Sequence, residues 1–184
     1  MRAVPTPLAG VWVVESDPVT DARGHFVRLA CRESFGRLGL PGVFDLTAAS
    51  WNRSRGTLRG MHWQRAPHGE HKLVRAVRGA LFDVALDLRE GSPTFGRWHG
   101  VRLDARADTL RALLVPPGVA HGFQTLVDDT EVLYQIAGAT VPEAACGVRW
   151  DDPAFGIVWP LPVSEIAPRD AAYPWVDCAT EASR

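Results

Sequence analysis

Between Thr57 and Gly138 the chain is a succession of short stretches rich in apolar and β-branched residues, with turn signals between them and no helical period. "TLRGMHW" (57–63), "KLVRAVRG" (72–79), "ALFDVALDL" (80–88), "GRWHGVRL" (96–103), "TLRALLVP" (109–116), "GFQTLV" (122–127) and "TEVLYQIAG" (130–138) follow one another. "REGSP", "DARAD", "PPG" and "VDD" punctuate them. "KLVRAVRG" alternates apolar and basic side chains, the two-residue period of a half-buried strand. Many short strands at this spacing, with no crossover helices, predict an all-β sandwich or barrel. "GVWVVE" (10–15) predicts an earlier strand. "GHFVRLACRESFGRLGL" starts extended and predicts one short helix near Arg32–Leu38, stopped by Gly39 and Pro41. The proline-rich "GVRWDDPAFGIVWPLPVSEIAPRDAAYPW" predicts irregular chain wrapped around the barrel.

A length of 184 residues suffices for one domain with a real core. No repeat or low-complexity linker divides it, so a single domain over 1–184 is expected. A formal charge of -1 offers no basic field for nucleic acid and no polybasic patch for a membrane. No apolar run is long enough to span a bilayer, and "MRAVPTPLAGVWVVESD" turns polar too soon for a signal peptide. Cys31, Cys146 and Cys178 are widely spaced and form no CxxC pair, so neither a disulfide framework nor a zinc knuckle is indicated. A cytoplasmic protein is expected.

The stretch "RGMHWQRAPHGEHK" from Arg59 to Lys72 holds His62, His68 and His71 together with Glu70 and Arg65. Such a cluster suits metal binding, proton transfer or a solvated loop. Alternate strand residues of a barrel point inward, so a mouth can be lined by a few polar groups on a rigid wall. His62 and Lys72 lie near the ends of successive strand candidates and Tyr134 lies on a later one. Asp83 and Asp87 alternate with apolar residues and are expected to face outward or to make structural pairs. "GSPTFG" reads as a tight turn, and His68 and His71 as loop residues near the mouth.

"RGTLRGMHWQ", "HKLVRAVRGALFDVALDLREGSPTFGRW", "VPPGVAHGF", "EVLYQ" and "GVRWDDPAFGIVWP", in this order over roughly 21–170, resemble the dTDP-4-dehydrorhamnose 3,5-epimerase family. The resemblance implies a cupin-like jelly-roll barrel with short peripheral helices. It also implies a homodimer that acts without metal or other cofactor on a nucleotide-diphospho (dTDP) 4-keto-6-deoxy sugar. A 4-keto group acidifies the C–H bonds at C3 and C5, and loss of either proton leaves an enolate. Inversion then needs a base on one face, an acid on the other and a cation near the oxyanion. On the resemblance His62 is the general base, and an unperturbed histidine titrates near ~6.5. Asp170 is its carboxylate partner, Lys72 lies near the keto oxygen and Tyr134 is the general acid. Arg59 and Arg23 hold the diphosphate, for which a guanidinium fork is suited. His121 lines the pocket, and Phe26 and Gln64 contact substrate.

The chain departs from the family pattern at three places. Thr140 stands where a second tyrosine commonly lines the sugar pocket, which favours inversion at a single carbon. Arg28 replaces a glutamate that helps to recognise the nucleobase. Thr47 and Ala49 replace a glutamine and an asparagine that face the sugar. Other readings are a sugar 3,4-ketoisomerase on the same fold, a non-catalytic sugar-nucleotide binder, and a metal-dependent cupin enzyme with His62, His68, Glu70, His71 and His121 as donors. Against the last, metal cupins carry two histidines one residue apart, whereas here the histidine after His62 is six residues on.

Overall fold

The computed structural model describes residues 1–176, so Cys178 and the end of the expected 1–184 domain lie outside it. Its strands are β1 (Arg2–Pro5), β2 (Trp12–Ser16), β3 (Val19–Asp21), β4 (Gly24–Phe26), β5 (Leu46–Asn52), β6 (Thr57–Gln64) and β7 (His71–Arg78). They continue with β8 (Ala80–Asp87), β9 (Trp98–Asp104), β10 (Leu110–Val115), β11 (Val119–Thr125), β12 (Thr130–Ala137), β13 (Ala145–Gly147) and β14 (Glu165–Ile166). Two short helices, α1 (Arg32–Arg37) and α2 (Pro168–Ala171), lie at the periphery. One sheet runs β1-β2-β10-β7-β12-β5 and faces a second, β13-β6-β11-β8-β9. This is a cupin-like jelly roll.

Three apolar layers hold it. Val13, Val74, Leu81, Ala85, Leu113, Phe123 and Val132 fill the space between the sheets. Phe35 of α1 and Leu40 cover the outer face of the first sheet through Leu73 and Leu114. Val148, Phe155 and their neighbours in the proline-rich segment cover the second through Met61, Val84 and Leu86. Strands covered on both faces read as nearly continuous apolar runs. β8 shows the consequence: Asp83 and Asp87 do not face outward, since both are fully buried. They make the structural pairs that were the other half of the expectation. Asp87 accepts from Arg89, Ser92 and Thr94, which tightens the turn "GSPTFG".

Several element limits move. The first strand expected over 10–15 is β2 at Trp12–Ser16, preceded by β1. The extended "GHF" belongs to a hairpin of β3 and β4. The strand expected at 122–127 begins at Val119, so His121 lies inside β11 and not in the turn before it. The C-terminal segment is irregular as expected, apart from β13, β14 and α2.

Candidate active site

His62 lies on β6 directly opposite His121 of β11, so the two side chains share the inner face of the second sheet. A register shift between His121 and Phe123 sets this pairing. It depends on Gly60, whose φ of +133° and whose contact (an added Cβ would lie 2.5 Å from Gly122 Cα) exclude a side chain. Each histidine meets its own carboxylate. His62 Nε2 lies 2.8 Å from Asp170 Oδ1, and His121 Nε2 lies 2.7 Å from Asp83 Oδ1.

Asp170 arrives from far along the chain. The short helix α2, opened by Pro168, presents it in the first turn, where Asp170 Oδ2 accepts the Gly60 N–H at 3.2 Å. Burial opposes its charge, but the hydrogen bond and charge of His62, the Gly60 amide and Arg169 outweigh it. The carboxyl is held below its ordinary range. Asp83 differs: burial dominates and pushes its pKa up against the pull of His121.

The first sheet supplies Lys72 on β7 and Tyr134 on β12. The Tyr134 ring packs edge-on against His121 with centroids 6.4 Å apart, which brings it to the inner face opposite the histidines. Its hydroxyl lies 3.1 Å from Ser50 Oγ. Burial, and less so the Asp83 charge, raise its pKa to about 12 against the pull of Ser50 and Arg59, so the phenol keeps its proton at neutral pH. Lys72 Nζ pairs with Glu70 Oε1 at 3.2 Å. Arg59 donates from Nε to Asn52 Oδ1 at 2.7 Å.

A cleft of about 200 Å³ opens over His62 and Lys72, with Trp63, Thr140 and Arg169 in its wall. A larger cleft of about 630 Å³ shares Trp63 and Gln64 with it but includes none of His62, Lys72 and Tyr134. The smaller one brings His62 and Lys72 together, and Tyr134 lines neither.

Other expected residues fall elsewhere. Arg23 and Phe26 lie on the exposed β3–β4 hairpin, where Arg23 pairs with Asp21 at 2.6 Å and Phe26 is 72% exposed. Gln64 lines the cleft, yet its amide binds His68 O, Glu70 Oε2 and Ala139 O and accepts Val141 N–H, which fastens loop to strand. The register of β5 turns Ala48 and Ser50 toward Tyr134, and Thr47 and Ala49 to the opposite face. The polar losses at those two positions therefore do not face the Tyr134 side, which corrects the expectation. Of the residues weighed as metal donors, Glu70 is engaged by Lys72 and His121 by Asp83. Among the described residues, no three His, Cys, Asp or Glu side chains gather as a metal site.

Sequence reasoning passed over Tyr173, whose ring lies edge-on to His62 at 5.9 Å in space left by Gly147. It also passed over Arg169, which sits over the Tyr173 ring at 5.6 Å. Tyr173 carried one signal, as one of only two tyrosines in the chain.

A jelly roll with a half-open His–Asp pair on one sheet and a protonated tyrosine on the other has the layout of an acid–base isomerase. The family model described as dTDP-4-dehydrorhamnose 3,5-epimerase matches residues 5–177. The dTDP-4-dehydrorhamnose 3,5-epimerase of Methanothermobacter thermautotrophicus is 43% identical over 161 residues, covering 87% of this chain and 84% of that one. A dTDP-4-dehydrorhamnose 3-epimerase of Streptomyces niveus is 38% identical over 172 residues, covering 92% and 81%. The crystal structure of the Bacillus anthracis 3,5-epimerase, with TDP and PPi bound, superposes with a TM-score of 0.89 at 34% identity, covering 95% and 99%. The chain belongs to the dTDP-4-dehydrorhamnose 3,5-epimerase family and is a nucleotide-sugar epimerase.

Proposed function

We propose that this epimerase inverts C3, C5 or both of a dTDP-linked 4-keto-6-deoxy sugar through an enolate. His62 takes the proton. Asp170 orients the ring and stabilises the imidazolium that forms. Lys72 faces the developing oxyanion, and Tyr134 returns a proton from the other side. The observation that carries this reading is the placement of the His62–Asp170 pair and of Tyr134 on opposing sheets, so that a sugar ring between them has a base on one face and an acid on the other. Arg59 and Arg169 are the guanidinium groups at hand for the diphosphate. Thr140 in the cleft wall, smaller than a tyrosine, favours inversion at a single carbon.

The reading includes a homodimer in the cytoplasm. Val19 and Phe26, paired across the hairpin and each 72% exposed, offer an apolar surface that a second copy would cover. Arg23 and Phe26 would then serve the neighbouring copy's cleft, which reconciles their expected role with their place on the hairpin. Light scattering at micromolar concentration is expected to give twice the chain mass.

Incubation with dTDP-4-keto-6-deoxyglucose in deuterated water, followed by NMR, tests the reaction. Deuterium at C3, C5 or both, with inversion, is expected. Binding without label at either carbon would remove this substrate from the reading, and a carbonyl moved to C3 would identify a ketoisomerase.

A further inference from the structure

Lys72 does not face the cleft as an uncompensated cation. Its Nζ lies 3.2 Å from Glu70 Oε1, with side chains 15% and 6% exposed. Glu70 Oε2 in turn accepts Gln64 Nε2 at 2.9 Å. Both carboxylate oxygens are thus engaged, and the carboxylate is fixed behind the ammonium. Packing leaves Glu70 little room, since a Cβ on Gly138 would lie 3.3 Å from its Cα. The pair adds no net charge to the cleft, although an ammonium has three donors and only one points at Glu70.

A nucleotide diphosphate brings a permanent negative charge into this cleft, whereas an enolate oxygen becomes negative only as the proton leaves. A bare ammonium would be drawn to both. Interactions made equally in ground and transition states lower KM without raising kcat. We infer that Glu70 is a positioning residue that neutralises Lys72 toward the diphosphate and holds its ammonium for the charge that develops on the sugar. Arg59, bound to the neutral Asn52, has no carboxylate against its guanidinium among the described residues and is left for the phosphates. This assignment rests on the role proposed for Lys72 in the epimerase reaction.

Glu70→Gln keeps the shape and removes the charge. It is expected to bind dTDP at least about threefold more tightly, with KM lowered and kcat reduced about tenfold, because the freed ammonium engages the diphosphate. Glu70→Asp keeps the charge and is expected to bind dTDP as the wild type does. A carboxylate needed only for structure would give the opposite result in Glu70→Gln, with weaker dTDP binding. Unchanged or weaker binding by calorimetry would overturn the assignment. Lys72→Met paired with Glu70→Gln provides a second check that removes both charges. Its affinity for dTDP is expected within about twofold of wild type. A loss of about tenfold or more in the double variant would make Lys72 a phosphate ligand and refute the inference. Wild-type turnover is read separately: a protein that binds dTDP but moves no proton breaks the proposed reaction and still reports the Glu70 effect through the dTDP constants.

Discussion

The two histidines stand on adjacent strands and meet their carboxylates at nearly the same distance, 2.8 Å for His62–Asp170 and 2.7 Å for His121–Asp83, and the surroundings of the two pairs differ. The His62 side chain is 38% exposed and looks into the cleft, while that of His121 is 6% exposed and lies against Tyr134. Asp170 has the Gly60 amide and Arg169 besides its histidine, and its charge is favoured. Among the described residues Asp83 has His121 alone and its Oδ2 has no partner, and its charge is disfavoured. One pair of residue types, in two degrees of burial, thereby suits two tasks. The open ring can exchange a proton with a ligand and with water. The sealed ring braces the phenol across from it.

The largest expected effect sets these two rings apart. His62→Ala should lower kcat by about 10³-fold, in the range that positioned acid–base groups contribute, while dTDP binding measured by calorimetry stays near wild type. His121→Ala should cost only about tenfold in kcat, through a looser Tyr134. Equal losses in the two variants would erase the distinction between open and sealed pairs. Tyr134→Phe comes next, with inversion slowed by about 10²-fold. Deuterium wash-in at the same carbon should fall less than inversion, because His62 can still remove and return a proton on its own face. Loss of wash-in to the same extent would move the phenol from proton return to proton removal.

Stability provides a smaller contrast with opposite signs. Asp170→Asn is expected to cost about 1–3 kcal/mol at pH 7, as for a lost hydrogen bond to a charged group, and Asp83→Asn within about 1 kcal/mol of zero or slightly stabilising. Asp170 has a depressed pKa in the fold, so its contribution is present above the unfolded carboxylate value and is lost as pH falls through the folded one. Asp83 has a raised pKa, so its cost is present above the folded value and is relieved as pH falls toward the unfolded one. Urea midpoints of both variants between pH 7 and pH 3 measure this. Acid should narrow the gap between wild type and Asp170→Asn and remove any advantage of Asp83→Asn.

Much of the barrel was legible because its strands are short, apolar and separated by turn residues, from Thr57–Gln64 to Thr130–Ala137. β1 was missed because "RAVP" carries one proline and too few apolar residues to read as a strand, and it gains its place by pairing with β2. Asp83 escaped because alternation marks a solvated face only on a strand covered on one side, and β8 is buried on both: Asp83 lies with Leu81 and Ala85 between the sheets, while Val84 and Leu86 lie under the outer layer. The pairing of His62 with Asp170 was expected from family motifs, and the structure shows that contact, with Lys72 and Tyr134 on the other sheet. Local patterning alone could not bring Asp170 to a histidine 108 positions away. Glu70 read as a loop acid because its value lies in a pairing with Lys72 two residues on, across the start of β7. Thr47 and Ala49 were set against the sugar by resemblance to the family, whereas the pairing of Ala48 with Tyr134 turns them to the opposite face.

The smallest expected effect concerns Thr140, on the open side of the comparison. Its neighbours Ala139 and Val141 are bound through their backbones to Gln64, so the loop is fixed by groups that a change at Thr140 leaves alone. Thr140→Tyr should therefore insert a ring into the cleft wall without moving it. An aromatic face against a ligand is worth ~0.5–1.5 kcal/mol, so KM for the dTDP sugar should fall about twofold to tenfold. If the open wall is what limits inversion to one carbon, the same substitution should raise deuterium at the second carbon relative to the first. A tighter KM with an unchanged labelling ratio would separate affinity from the choice of carbon. That choice would then rest on how His62 and Tyr134 face the ring from their two sheets.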